Sequence, residues 1–150
     1  MAALVYLTTV PVSGQGKTLA FSRVVNPSEK KQADRINDRY FLVDRGIRYT
    51  QIKLQELCRI LDNIRLPDQS QIMIFSDDKD ITRLGKTFGV EEGDQEPIHN
   101  KGLWNRISET IKRKRFKVCF QTHGLLSDSI YDRMVSMSEE IDKEGSLPHE

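Results

Sequence analysis

The stretch QIMIFSDDKDI, residues 71–81, decides the fold and the candidate chemistry of this chain. Its first half alternates isoleucine with methionine and phenylalanine, which predicts an apolar strand with Ile72 and Ile74 on one face and Met73 and Phe75 on the other. The strand breaks at Ser76-Asp77-Asp78, which places two adjacent carboxylates at the rim of a sheet. Oxygen ligands of this kind suit Mg²⁺ or Mn²⁺. The same triplet is also typical of a turn or a helix N-cap, and both interpretations stay open.

Length and charge predict one domain without a global attraction to nucleic acid. The 150 residues carry 23 basic and 22 acidic side chains, a net charge of +1. A chain of this size can bury roughly two-thirds of its unfolded surface, and binding to nucleic acid requires a local basic patch. We expect one domain over residues 1–143 and a flexible C-terminal tail over 144–150.

The cysteines and the N-terminus predict an intracellular protein, cytoplasmic or nuclear. Cys58 lies in a helical pattern and Cys119 in a strand pattern, and both are interpreted as buried thiols. The apolar start MAALVYLTTV has no basic leader and is too short to span a bilayer. We therefore expect no membrane partner.

The first third of the chain predicts three strands, over residues 3–10, 17–25 and 39–45. They are short, rich in β-branched and aromatic residues, and separated by turn-forming stretches. Together they predict an antiparallel meander. The charged segment 26–38 is predicted as a long exposed connection with one helical turn.

From Thr50 onward the period of the apolar residues changes to that of helices. Leu54, Leu57 and Leu61 form one helical stripe, closed by Pro67. The elements predicted after it are a strand over 72–76, a short helix over 81–88, a loop to residue 102, a helix from Leu103, a strand over 116–122 and a final helix over 130–141. The order βββ-α-β-α-α-β-α predicts an α/β fold: a five-stranded mixed sheet, strands 1–3 antiparallel, flanked by helices.

This order, with several motifs, resembles the ribonuclease H family over about residues 4–141. Glu56 precedes a helical apolar core as the family's glutamate does, and Ser76-Asp77-Asp78 stands where the family has T-D-S. His123 follows the fifth strand, and Asp132 comes nine residues later. The phrase NKGLW, residues 100–104, resembles the family's N-x-D-L-W.

The resemblance implies a ribonuclease H-like fold and a metal-dependent hydrolase site. Glu56, Asp77 and Asp132 would hold Mg²⁺ or Mn²⁺, which activates water and stabilises the leaving oxygen of a phosphodiester. His123 would move a proton or help the product leave. The implied substrate is the RNA strand of an RNA–DNA hybrid.

One departure from the family pattern leaves two hypotheses of function. The family's first strand ends in D-G-S, and the matching stretch here is Leu7-Thr8-Thr9-Val10, which supplies no charge. The first hypothesis is a catalytically impaired pseudo-nuclease that serves as a nucleic-acid or protein binding module, with no cofactor. The alternative is an active endonuclease that cleaves RNA in hybrids. With the first carboxylate missing, we expect weak magnesium binding and a raised pKa for at least one clustered carboxyl group.

Two further stretches carry competing interpretations. The basic run Lys112, Arg113, Lys114 and Arg115 predicts phosphate contacts to nucleic acid (RNA–DNA hybrid or RNA) or a solvated helix end. The sequence SGQGKT, residues 13–18, is similar to a phosphate-binding loop. It runs into a strand pattern rather than a helix, which favours a hairpin turn.

Overall fold

The structure is a computed structural model that describes residues 2–87 and 100–145. The strands are β1 (Ala3–Val12), β2 (Lys17–Val25), β3 (Ile36–Asp44), β4 (Gln71–Phe75) and β5 (Lys117–Gln121). The helices are α1 (Tyr49–Asn63), α2 (Lys79–Thr87), α3 (Lys101–Lys114) and α4 (Ser127–Glu144). This order confirms the predicted succession of strands and helices.

The five strands form one mixed sheet in the order β3-β2-β1-β4-β5. The β1–β2 and β2–β3 pairs are antiparallel, which confirms the predicted meander. The β1–β4 and β4–β5 pairs are parallel, with Ala3 opposite Ile72 and Tyr6 opposite Phe75. The C-terminal ends of β4 and β5 therefore lie together beside the middle of β1, at a margin of the sheet that we call the carboxyl edge.

Helices cover both faces of the sheet and enclose two apolar cores. Ile72 and Ile74 point into the core shared with α1 and α3, whereas Met73 and Phe75 pack with residues of α4. The alternation of residue types along β4 is thus explained by burial on both faces. Trp104, from the NKGLW phrase, is 1% exposed in the first core.

The β2–β3 connection is shorter than the sequence predicted. β3 begins at Ile36 rather than at residue 39, because Ile36, Asn37 and Asp38 pair with the end of β2. The predicted helical turn in this connection is a 3-10 turn over Gln32–Asp34. Strand pairing therefore extends β3 into a polar segment whose composition favours a loop.

The C-terminal helix runs slightly past the predicted domain boundary. α4 ends at Glu144, followed by Gly145 in the left-handed region at φ 76°. Residues 146–150 of the predicted tail lie outside the described residues, as do Phe88 and most of the predicted loop before α3.

The stretch SGQGKT forms a hairpin connection between β1 and β2. A 3-10 turn covers Ser13–Gln15, and Gly16 adopts φ 64° before β2 begins, a conformation that glycine adopts without strain. The Gly14 backbone N–H donates a hydrogen bond to Asp142 Oδ1 of α4 at 2.8 Å. These contacts confirm the hairpin interpretation over the phosphate-binding loop.

The two cysteines differ in environment. Cys58 is 3% exposed, and burial raises the pKa of its thiol. Cys119 is exposed, so its prediction as a buried thiol was wrong. It lies on β5, which is an edge strand of the described sheet.

No helix within residues 2–87 and 100–145 combines the length and apolar character that crossing a membrane requires.

Candidate functional site

The carboxyl edge of the sheet carries a small cleft where the predicted site should lie. The last parallel pair of β1 and β4 is Tyr6 with Phe75, so the residues after Phe75 project beyond β4, whereas β1 continues beside β2 to Val12. The cleft has a volume of about 120 Å³. Its polar lining includes Thr8, Ser76, Asp77, Thr122, His123, Ser127, Asp128 and Tyr131.

Glu56 is buried in an arginine-rich cluster. Its side chain is 4% exposed, and its carboxylate accepts hydrogen bonds from Ser22 Oγ at 2.7 Å, Arg39 Nη1 at 2.7 Å and Arg59 Nε at 2.6 Å. Burial alone raises the pKa of the carboxyl group, but the hydrogen bonds from Arg59 and Ser22 and both positive charges outweigh it. The pKa of Glu56 is therefore lowered, opposite to the direction expected for crowded carboxyl groups.

Lys53 is the residue of α1 that reaches Asp77. Its side chain is 7% exposed, and its Nζ lies 3.4 Å from Asp77 Oδ1 and 3.8 Å from Asp78 Oδ2. Lys53 precedes Glu56 by three residues, so it lies on the same side of α1 and about one turn away. The start of α1 is at this edge, because Thr50 Oγ1 donates a hydrogen bond to Asp78 Oδ2 at 2.6 Å.

Asp78 caps the start of α2. Its Oδ1 accepts hydrogen bonds from the backbone N–H groups of Asp80 at 3.0 Å and Ile81 at 3.3 Å. The Asp78 N–H in turn donates to Ser76 Oγ at 3.1 Å. The N-cap interpretation of the SDD triplet is therefore confirmed for Asp78, whereas Asp77 remains 69% exposed at the cleft.

The structure brings together His123, in the connection after β5, and Asp128 of α4. His123 Nε2 lies 3.0 Å from Asp128 Oδ1, and both side chains are largely exposed. Asp132 lies one helical turn further along α4. It is exposed, and it is not among the residues that line this cleft. Sequence reasoning missed Asp128, although the i, i+4 spacing of two aspartates on one helix indicates that either could face the cleft.

The residues at the carboxyl edge do not fit a divalent cation. The oxygens of Glu56 are occupied by guanidinium and hydroxyl donors, and an ammonium group lies against Asp77 and Asp78. Thr9 Oγ1 is buried and has no hydrogen-bond partner in the described part of the chain. Among residues 2–87 and 100–145, no three His, Cys, Asp or Glu side chains are grouped to share a metal ion. Three predicted ligands, Glu56, Asp77 and Asp132, are thus not brought together as a metal site.

One residue of the basic run at the end of α3, Lys114, makes hydrogen bonds within the protein. Lys114 Nζ donates hydrogen bonds to the carbonyl oxygens of Leu61 at 2.8 Å, Asp62 at 2.7 Å and Ile64 at 3.3 Å. Burial lowers the pKa of Lys114, assisted by the charge of nearby Arg113. This side chain caps the C-terminal end of α1.

The other three cations of the run are exposed. Arg113 Nη2 lies 3.9 Å from Asp62 Oδ1, and Arg115 Nη1 lies 3.4 Å from Asp68 Oδ2. Lys112 is exposed. Exposed ion pairs of this kind are weak, so these cations stay accessible to a ligand, and their role in binding nucleic acid stays a prediction.

No protein-family model matches the chain, and no curated protein shows significant sequence similarity to it.

Proposed function

We propose that this chain is a ribonuclease H-like domain that does not hydrolyse its ligand and acts as a nucleic-acid binding module. The parallel pairing of β1 with β4, which the family resemblance requires, supports the fold assignment. The proposal that the domain does not hydrolyse its ligand is supported by the position of Lys53 Nζ, which lies 3.4 Å from Asp77 and 3.8 Å from Asp78.

A buried ammonium group at this place removes the electrostatic reason for a metal ion to bind. Two-metal hydrolysis needs clustered carboxylates whose negative charge the cations neutralise. Here Lys53 supplies positive charge to Asp77 and Asp78. Because Thr9 adds no charge, a dication at this edge would meet an ammonium group and at most two carboxylates that are already paired.

Nucleic acid is the favoured ligand because exposed cations cluster at the end of α3. The side chains of Arg113 and Arg115 are 68% and 64% exposed, and exposed Lys112 adjoins them. Lysine and arginine at such a surface bind phosphate backbones without regard to sequence.

An active hydrolase is the second candidate, favoured by the cleft itself. His123, Asp128 and Asp77 all line it, so a proton-transfer pair and a further carboxylate lie next to one another. Of these three residues, His123 and Asp77 belong to the predicted site.

The deciding experiment is cleavage of a labelled RNA–DNA hybrid in magnesium and in manganese, with Asp77→Asn as the matched control. The proposal predicts no cleavage above the level of that variant, together with salt-sensitive binding of the same hybrid. Hybrid cleavage that Asp77→Asn abolishes would establish the second candidate. Absence of hybrid and RNA binding by the wild-type protein would remove the nucleic-acid assignment and leave a protein partner.

A further inference from the structure

A second, larger cleft lies beside β2 and β3, on the side of the sheet remote from β5. It is formed by the end of β2, the start of β3 and the C-terminal half of α1, and it has a volume of about 320 Å³. That volume is at the lower end of the range of small-ligand sites, about 300–1,000 Å³.

One wall of this cleft is made by Arg39 and Arg59, the two arginines that bind Glu56. The Glu56 side chain is 4% exposed, whereas those of Arg39 and Arg59 are 46% and 43% exposed. The carboxylate therefore lies beneath the guanidinium groups, which are accessible from the cleft. Two positive charges on one negative charge leave this wall with a net charge of +1.

The guanidinium groups are held in place and retain unused donors. A guanidinium group has five N–H donors, and Glu56 accepts from one nitrogen of Arg39 and two of Arg59. The Arg39 guanidinium also lies 4.5 Å from the centre of the Phe41 ring. A ligand that binds to such groups does not have to order them first, which lowers the entropic cost of binding.

The rest of the cleft has an apolar base, an acidic rim and one further arginine, Arg65. Val24, Ile60 and Ile64 supply apolar lining. Glu29 and Asp34, on the β2–β3 connection, also line it, and their carboxylates accept no hydrogen bond within residues 2–87 and 100–145. A simple anion would match the arginine wall but not this acidic rim.

We infer that this cleft binds one nucleotide unit, with its phosphate on Arg39 and Arg59. Planar guanidinium groups match phosphate geometry, the apolar lining suits the face of a base, and the carboxylates of Glu29 and Asp34 accept hydrogen bonds from exocyclic amino groups. The unit is either a free nucleoside monophosphate or the phosphorylated end of a strand. In this account Glu56 is a positioning residue that orients the two arginines. The inference deepens the proposed binding function and rests on it.

Titration of the isotopically labelled protein with adenosine 5′-monophosphate, followed by NMR, tests the inference. We expect amide shifts confined to the cleft and weaker responses to adenosine and to inorganic phosphate. Arg39→Gln and Arg59→Gln should weaken binding by roughly tenfold or more, the loss expected for a hydrogen bond to a charged group. A 5′-phosphorylated trinucleotide that binds more tightly than the monophosphate identifies a strand end, and equal affinity identifies a free nucleotide.

Asn37→Asp keeps the test decisive if removal of an arginine unfolds the protein. Asn37 is exposed and lines the cleft, so a negative charge there should repel phosphate and weaken binding by about fivefold. Asn105→Asp, which makes the same change at an exposed site on α3, is the matched control and should leave affinity within about twofold. Absence of nucleotide binding, equal affinity for inorganic phosphate, or equal effects of Asn37→Asp and Asn105→Asp would overturn the inference.

The hybrid-cleavage assay separates this inference from the proposed function. If nucleotide binding fails while the hybrid is bound without cleavage, only the cleft is wrongly assigned. If the wild-type protein cleaves the hybrid, the proposed function fails whatever the cleft binds.

Discussion

At the scale of single residues, the charge of the candidate site is decided by which polar side chain of α1 faces the carboxyl edge. Lys53 and Glu56 are both buried and lie three residues apart. The apolar stripe of the helix, formed by Leu54, Leu57 and Leu61, does not indicate which of the two reaches Asp77. Which of these two side chains reaches Asp77 depends on where α1 begins relative to the strands of the sheet. Ser22 and Arg39, which bind Glu56, come from other strands and leave no local signal in the sequence.

The pH dependence of stability tests the role of Glu56. Its pKa is lowered from the ordinary value of 4.5, so the folded protein binds this proton less tightly than the unfolded chain. The stabilisation is present above the ordinary pKa and is lost as the pH falls through the lower, folded pKa. Glu56→Gln should cost on the order of 1–3 kcal/mol at neutral pH and remove this part of the acid dependence, as measured by urea denaturation between pH 3 and 7. Glu139→Gln, at an exposed position, is the control. Equal stability of the Glu56→Gln and wild-type proteins at pH 7 would contradict the assigned hydrogen bonds.

At the scale of secondary-structure elements, the C-terminal end of α1 is stabilised by a side chain distant in the sequence. α1 ends without basic residues in its last turn, and its carbonyl groups are instead satisfied by Lys114, about 50 residues later in the chain. The sequence predicted the existence of α1 from its apolar stripe. It could not predict the cap, because a basic run at the end of α3 has the same composition whether it faces solvent, phosphate or another helix.

Replacement of Lys114 distinguishes a structural cap from a phosphate contact. Lys114→Met should destabilise the protein by about 1–3 kcal/mol, since the carbonyl groups at the end of α1 lose a charged donor. Lys112→Met, two residues earlier and exposed, should change the free energy of unfolding by less than about 0.5 kcal/mol. Chemical denaturation measures both. Similar effects of the two substitutions would show that Lys114 does not cap α1 in solution.

At the scale of the whole molecule, the sequence predicted the architecture more completely than the site. Alternating residues of β4 were assigned to two faces, and both faces are buried. The meander was predicted from its strand patterns and turn residues, whereas the residue-by-residue pairing of β1 with β2 is seen only in the structure. The site depends on side chains that converge from α1, β4 and α4, and residues such as Lys53 and Asp128 enter it only through that convergence. The apolar periodicity predicts which face of a helix or strand a residue occupies, but not where a helical residue lies along the direction of the strands.

The most direct test of the account is the thermal response of the wild-type protein and Lys53→Glu to magnesium. The substitution replaces the ammonium group beside Asp77 and Asp78 with a third carboxylate, with Lys53→Met as the control that removes the charge alone. In about 10 mM magnesium, we expect the melting temperatures of the wild-type protein and Lys53→Met to change by less than about 1 °C. The melting temperature of Lys53→Glu should rise by several degrees, because binding of the ion stabilises the folded state. A rise of several degrees for the wild-type protein, or no response of Lys53→Glu, would contradict this account.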